Sequence, residues 1–379
     1  MKIEDLALQR SKYKHLSDDE WRWFLQQEEG RERTADKLPT FAAINDWWYP
    51  VRLSCEQCSS ELAARYKAEI VNDKCQNGKC LDLTGGYGVD TYFLSEQFEQ
   101  TDYVEQNAEL CRIATHNFAY KPIAIHNTSA EEFLASAGQY DLIYIDPARR
   151  DSHGGKVFRL EDCTPNVVEL LPTLLAHGKR ILLKLSPMLD LTQAILHLTP
   201  HTLYLSWDIY VVAIKNEVKE VLLLSRESRT KSQEPIITAI DLAQKDQAFV
   251  FTKEEESTAR SEYSQYSDYS DKYLYEPNAA ILKAGAYKLI AERFGLFKLD
   301  VNTHLYGSEE LVPDFPGRVW KIVEKQDLKQ ANVLCRNYPL TPEQLKKKLH
   351  LRDGGTAFVI GCRVNGKPTL FFAERVTCA

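Results

Sequence analysis

The ten residues Leu81-Asp82-Leu83-Thr84-Gly85-Gly86-Tyr87-Gly88-Val89-Asp90 constrain this chain more than any other stretch. A largely apolar run over 80–83 reads as a buried strand, a glycine-rich turn follows, and a helical pattern covers 89–98. Glycines let the backbone come close to a ligand. The start of the helix adds unpaired N–H groups and the positive end of the helix dipole. Such a turn suits an anionic or carboxylate-bearing ligand.

Further signals lie downstream at βαβ spacing. Residues 101–104 read as a short strand with Glu105 at its carboxyl end, where an acid accepts hydrogen bonds from both ribose hydroxyls of a nucleoside. Residues 141–145 read as another strand, which ends in Asp146-Pro147-Ala148-Arg149-Arg150. Ligands of open α/β sheets bind beyond the carboxyl ends of the strands, and all these signals stand at such ends. A dinucleotide fold competes, but its G-x-G-x-x-G pattern fails, because Thr91 occupies the place of the third glycine.

Together, Asp82, the glycine turn, Glu105 and Asp146-Pro147 resemble the class I S-adenosylmethionine-dependent methyltransferases. In that family the first strand ends in an acid before a glycine loop, an acid after the second strand takes the ribose, and an Asp/Asn-Pro motif after the fourth faces the methyl group. The resemblance implies a donor site of Asp82, Leu83, Thr84, Gly85, Gly86, Gly88, Glu105, Gln106, Ala130 and Asp146, with S-adenosyl-L-methionine as cofactor. It sets the 127–130 segment against the adenine, although the family's usual acid is missing there. Cys58, Ser59 and Ser60 are expected near the methionine end.

The pattern over 80–224 supports the same fold class. Strands are expected at 80–83, 101–104, 123–126, 142–145 and 181–185, with helices such as 109–119 and 165–176 between them, which means a parallel sheet. Runs at 203–213 and 218–224 read as a closing hairpin, so the last strand is antiparallel. The whole is α/β: a Rossmann-like methyltransferase sheet with a helical N-terminal cap and an α+β C-terminal region.

Outside that sheet, Ser17 with Asp18, Asp19 and Glu20 marks a helix start. Phe41, Trp47, Trp48 and Tyr49 read as an anchor for the cap, with base stacking as the alternative. Ser59 or Ser60 is expected to cap a helix that runs to about Val71, with Leu62, Tyr66 and Ile70 on one face. Residues 257–275, rich in Ser, Tyr and acids, read as a mobile linker. A helix is expected over 279–294, another after Thr341-Pro342, and a hairpin at Asn365-Gly366.

Composition narrows the classes. No run of eighteen apolar residues exists, and the first ten residues lack an apolar signal core, so a cytoplasmic protein without a membrane span is expected. The 9 cysteines are an odd, scattered set, which fits reduced thiols. Cys55, Cys58, Cys75 and Cys80 are imaginable zinc ligands, but Cys80 opens a strand, and no metal is expected. The net charge of −7 argues against a generally sticky nucleic-acid binder, yet from Glu276 onward 16 Lys/Arg face 11 Asp/Glu.

Further motifs narrow the family. They are Lys184-Leu185-Ser186-Pro187-Met188-Leu189-Asp190, Asn216-Glu217-Val218-Lys219-Glu220, Tyr273-Leu274-Tyr275-Glu276-Pro277-Asn278 and Arg336-Asn337-Tyr338-Pro339. From about Glu56 onward the chain is similar to bacterial methyltransferases with a C-terminal THUMP-like domain. That resemblance implies a ferredoxin-like segment with linker over 234–317 and a THUMP-like domain over 318–379, and with the helical cap read over 1–75 this leaves the methyltransferase domain over 76–233. THUMP domains of related enzymes bind structured RNA, so tRNA or rRNA is the implied partner.

The chemistry requires a nucleophile placed in line with an activated methyl group and one proton managed. Asp146 is expected to hold an amine N–H, with Pro147 fixing the turn. Related amino-methyltransferases follow with Pro and an aromatic ring, where this chain has Ala148-Arg149. Arg149 is expected to stack on a base and Arg150 to hold a phosphate, with salt bridges to Asp151 or Asp162 as the plainer role. Lys184, at another strand end, faces the same pocket to hold a substrate group or to make an ion pair. The first reading is an RNA base methyltransferase. A methyltransferase for a protein or small molecule, and an RNA-binding protein that keeps the cofactor pocket without catalysis, stay open.

Overall fold

The structure, a computed structural model, describes residues 6, 8–72, 78–149, 160, 163–191, 195, 198, 205–227, 234–264, 269 and 272–376. The chain divides into two compact units: Met1–Trp207 with Leu222–Gln233, and Asp208–Val221 with Glu234–Ala379.

In the first unit, α1 (Asp18–Thr34) begins at a capping box. Ser17 Oγ accepts the Glu20 N–H at 3.3 Å, and the Glu20 carboxylate accepts the Ser17 N–H at 2.7 Å. Such a cap contributes about 1 kcal/mol. Two short helices follow, α2 (Pro39–Ala42) and α3 (Arg52–Gln57). The aromatic run anchors them: Phe41, Trp47 and Tyr49 are buried in one cluster with Tyr87, Phe93, Tyr103 and Phe118. Trp48 is consumed by the fold, because its ring stacks on His116 at 3.8 Å and the Arg112 guanidinium lies 4.8 Å from it.

Next comes α4 (Glu61–Ile70), capped by Ser60. Its buried face differs from the expected one. Leu62 is exposed, and the helix buries Ala63, Ala64, Tyr66 and Lys67. The alanines allow close packing against the helix after the glycine turn, and large apolar residues would prevent that.

The sheet follows as β1 (Lys79–Asp82), α5 (Val89–Leu94), β2 (Gln100–Val104), α6 (Ala108–Asn117), β3 (Ile123–His126), α7 (Ala130–Leu134) and β4 (Leu142–Ile145). A two-residue ladder, β5 (Ala148–Arg149) on β6 (Cys163–Thr164), precedes α8 (Val167–His177) and β7 (Ile181–Leu185). β8 (Leu205–Ile214) and β9 (Glu217–Glu227) form the expected hairpin. Its turn residues, Lys215 and Asn216, both have positive φ, at 53° and 63°. Residues 205–207 and 222–227 of the hairpin belong to the first unit. The sheet order there is β9-β7-β4-β1-β2-β3, with β7, β4, β1, β2 and β3 mutually parallel. The connections reverse direction between β1 and β4, so their carboxyl ends open a crevice.

The second unit corrects two expectations. Residues 234–258, for which the sequence named no separate elements within the implied ferredoxin-like segment and linker, hold β10 (Ile237–Asp241), β11 (Phe249–Phe251) and α9 (Lys253–Thr258). β10 runs parallel to β8, and the Asp241 carboxylate accepts the Lys215 and Asn216 N–H groups of the hairpin turn at 3.0 and 2.6 Å. In the expected linker, Tyr269 is buried among Leu274, Leu299 and Phe371. After β12 (Tyr273–Pro277), the expected single helix is broken into α10 (Ala279–Ala284) and α11 (Leu289–Phe294). Gly285, at φ +87°, ends the first, and the Glu256 carboxylate accepts the N–H groups of Tyr287, Lys288 and Leu289 to start the second. Neither a left-handed residue nor a distant capping carboxylate belongs to helical periodicity.

The unit continues with β13 (Phe297–Asp300), β14 (Thr303–Ser308), β15 (Gly317–Val323), β16 (Asn332–Arg336), α12 (Pro342–Lys348), β17 (Ala357–Val364) and β18 (Lys367–Val376). Their sheet order is β13-β14-β12-β15-β18-β17-β16. Pro342 opens α12, and Asn365-Gly366 turns β17 into β18, both as expected. Among the described residues, no helix is long and apolar enough to cross a membrane.

Candidate active site

A cavity of about 340 Å³ opens at the carboxyl ends of β1, β2 and β4. All the residues expected at the donor site, from Asp82 to Gly86 with Gly88, Glu105, Gln106, Ala130 and Asp146, line it. Its volume is within the range of small-molecule sites.

The glycine turn fits tightly on β2. A side chain at Gly85 would place its first carbon 2.1 Å from the Tyr103 ring, so only glycine fits there. The Tyr103 hydroxyl donates to the Gly86 carbonyl at 2.6 Å and fixes the turn from below. Glu105 grips it from the other side: Oε2 accepts the Gly86 N–H at 3.0 Å, and Oε1 accepts the Asn107 N–H at 2.8 Å. A carboxylate has about four acceptor sites, so each oxygen keeps one for a ligand hydroxyl.

Asp82 is buried at the end of β1. One oxygen accepts the Thr84 N–H at 2.9 Å and the other the Thr91 hydroxyl at 2.5 Å. Burial nevertheless dominates and pushes its carboxyl up to about 7. Asp82 therefore acts first as a brace between turn and helix.

Asp146 follows β4. Its N–H donates to Thr84 Oγ1 at 2.7 Å, which ties the two strand ends together. Lys184, on β7, donates from Nζ to Asp146 Oδ2 at 2.5 Å. The two sequence motifs therefore meet as an ion pair. Pro147 is buried directly behind Asp146. Arg149 sits in β5, paired with Cys163, and Ala148 lines the cavity. The Arg149 side chain and the whole of Arg150, Asp151 and Asp162 lie outside the described residues, as does Cys75.

Cys58 and Ser59 also line the cavity, and Thr128 with Ser129 forms part of its wall. Burial pushes the Cys58 thiol up and keeps it protonated.

Two family models match the second unit: a ferredoxin-like domain over residues 273–316 and a THUMP domain-like one over residues 312–375. The crystal structure of a candidate methyltransferase from Porphyromonas gingivalis W83 is similar over almost the full length. It is 33% identical with a TM-score of 0.83, covering 96% of this chain and 92% of that one. This chain belongs to the same family, the S-adenosylmethionine-dependent methyltransferases with a THUMP-like C-terminal domain. Proteins from two strains of Mycobacterium tuberculosis, each named an uncharacterised S-adenosylmethionine-dependent methyltransferase, are 21% identical over 360 residues. They cover 90% of this chain, which spans 92% of theirs.

This methyltransferase also holds a buried network that the sequence reading passed over. Asp90, in the first turn of α5, accepts from Ser59 Oγ and from the Tyr144 hydroxyl, each at 2.7 Å, and pairs with Lys67 Nζ at 3.1 Å. Lys67 also donates to Ser59 Oγ at 3.3 Å. Burial pushes the Asp90 carboxyl up, but Lys67, then Lys184 and the hydrogen bonds, outweigh it and hold the group below its ordinary value. The network joins α4, α5 and β4, and its members Ser59, Asp90 and Tyr144 line the cavity. One signal was available: Lys67 stands on the alanine face of its helix, where a lone lysine requires an acid.

Proposed function

We propose that this chain transfers the methyl group of S-adenosylmethionine to a base in a structured RNA. The observation that carries the reading is the set Asp82, Glu105 and Asp146, which stand at the carboxyl ends of three adjacent parallel strands around one cavity. The residues present fit the cofactor. Glu105 keeps acceptor capacity for two ribose hydroxyls, the Thr128–Ala130 wall suits the adenine, and Ser59 and Asp90 stand where the methionyl end is assigned. Bound there, the cofactor supplies a methyl group already activated on a sulfonium.

The chain's own work is then placement and proton handling. Lys184 takes Oδ2 of Asp146 and fixes the carboxylate, so Oδ1 is the oxygen offered to an acceptor N–H. That hydrogen bond turns the nitrogen lone pair toward the methyl group. Buried Pro147 holds the turn in place. Arg149 is assigned to stack on the base and Arg150 to hold a phosphate. The THUMP domain-like match and the basic composition from Glu276 onward support RNA as the acceptor.

The test is incubation of the purified protein with radiolabelled S-adenosylmethionine and total RNA from a strain lacking the gene. Label is expected in a defined RNA and absent with Asp146→Ala, with calorimetry on the variant separating lost methyl transfer from lost cofactor binding. Label that resists ribonuclease moves the acceptor to a protein or small molecule. Cofactor binding without label in any fraction leaves a binding protein and overturns the catalytic reading.

A further inference from the structure

Two motifs that the methyl-transfer chemistry does not use meet in the second unit. Glu276 of the Tyr273–Asn278 motif is 3% exposed at its side chain, on β12. Arg318 faces it across the ladder on β15 and donates to Oε2 from Nε at 2.8 Å and also from Nη2. Arg336, which opens the other motif at the end of β16, donates from Nε to Oε1. A third arginine, Arg375 on β18, pairs across the ladder with Trp320. The Arg318 and Arg375 guanidiniums lie 5.5 and 5.8 Å from the buried Trp320 ring.

We propose that Arg318, Arg336 and Arg375 form an oxyanion site whose ligand is a phosphate group. Resting on the RNA reading above, the assigned source is a phosphodiester of the acceptor's backbone. Glu276 is the positioning residue. It lies beneath two guanidiniums that are themselves 25% and 36% exposed, so it sets their planes and leaves their outer edges to solvent. A guanidinium carries five N–H donors. Arg318 spends its Nε and Nη2 positions on Glu276, whereas Arg336 spends Nε there and Nη1 on the Cys335 carbonyl at 2.9 Å. The remaining donors form the planar fork that suits a tetrahedral oxyanion.

The charge balance points the same way. Three arginines around one carboxylate leave a surplus of two positive charges. Burial, then the neighbouring Arg318, hold Arg375 below its usual value, and Glu276 only partly offsets them. A bound anion relieves that repulsion. Trp320 confines the Arg318 and Arg375 guanidiniums by cation–π contact, which lowers the entropy lost when they close on a ligand.

The experiment uses the full chain and two probes. Thermal unfolding is followed with inorganic phosphate against chloride at matched ionic strength, and binding of labelled total tRNA is followed as a function of salt. The variants are Arg375→Ala, which is exposed and makes no bond to Glu276, and Arg318→Lys, which keeps the charge and loses the fork. Circular dichroism and cofactor calorimetry serve as controls for folding. Phosphate is expected to raise the wild-type midpoint and to lose most of that effect in both variants. For Arg375→Ala, RNA affinity should fall about fivefold and the slope of log affinity against log salt should shrink by about one contact. An equal phosphate effect in the wild type and both variants overturns the site. A phosphate effect lost in the variants, with no RNA bound by any form, upholds the site and overturns the RNA reading. A phosphate effect lost in the variants, with RNA binding unchanged, upholds the phosphate site and overturns the phosphodiester assignment.

Discussion

Replacing Lys67 by methionine removes the charge from the buried network and keeps the length of the side chain. Lys67 is fully buried, and its Nζ is 3.1 Å from Asp90 Oδ1. At that separation, with an effective dielectric constant of about 20, the Coulomb attraction is about 5 kcal/mol. Removing one partner of a buried pair generally costs about 3–5 kcal/mol, because the other is left charged and uncompensated. A loss in that range is expected for Lys67→Met near about pH 8. The pH dependence gives a second check. In the wild type Asp90 is held below its ordinary value, so it stabilises the fold above the unfolded pKa of about 3.9, and this is lost as pH falls through the folded value. Without Lys67, burial, already the largest single influence, is opposed by Lys184 and the hydrogen bonds alone and raises Asp90. The penalty is then small near the unfolded pKa and grows as pH rises, so the gap between wild type and variant widens from about pH 5 to about pH 8. The double variant K67M/D90N carries no buried charge at this pair and should recover most of the loss. Urea unfolding monitored by tryptophan fluorescence measures all of this. A loss under about 1 kcal/mol at about pH 8, or a double variant less stable than K67M, would refute the reasoning.

Three further outcomes follow from the site. Gly85→Ala would set a carbon 2.1 Å from the Tyr103 ring, so it should lower the unfolding midpoint and weaken cofactor binding together, read by scanning fluorimetry and calorimetry. Glu105→Gln keeps an oxygen for one backbone N–H but presents donors where a ribose needs acceptors. It should weaken cofactor binding by about 2 kcal/mol, roughly thirtyfold by calorimetry, and an unchanged affinity would remove Glu105 from the ribose site. Asp82, pushed up to about 7 in the fold, binds its proton more tightly there than in the unfolded chain. Its ionisation therefore costs stability as pH rises from about 4 to about 7, and the stability of Asp82→Asn relative to wild type should improve across that window.

How much of this was legible in the sequence depends on how far apart the interacting residues lie. The glycine turn, Asp82, Glu105 and Asp146 were readable because each sits within a few residues of a strand end, where chain order alone fixes position in a parallel sheet. The hairpin at Lys215-Asn216, the Ser17 cap and the Pro342 helix start were readable for the same reason, since each is a local backbone preference. For Lys184 the sequence offered an ion pair beside a substrate contact, and the structure supplies Asp146 as the partner. The break at Gly285 and the strands within 237–251 were not foreseen. The first depends on Glu256 reaching back to cap a second helix, and the second on β8 offering a parallel edge to β10.

The sequence by itself therefore determined the parallel sheet and the glycine turn and acids at its strand ends, because periodicity, glycine sterics and strand ends act over short spans of chain, while the fuller cavity lining was legible only through the family resemblance. Tertiary structure alone decided the charged networks. Lys67, Asp90 and Tyr144, like Glu276, Arg318, Arg336 and Arg375, come from separate elements, and a buried charge is tolerated only where the fold brings its counter-charge to it. Distance in sequence carries no information about that meeting. Packing of α4 on α5, and the pairing of β12 with β15 and of β15 with β18, supply it.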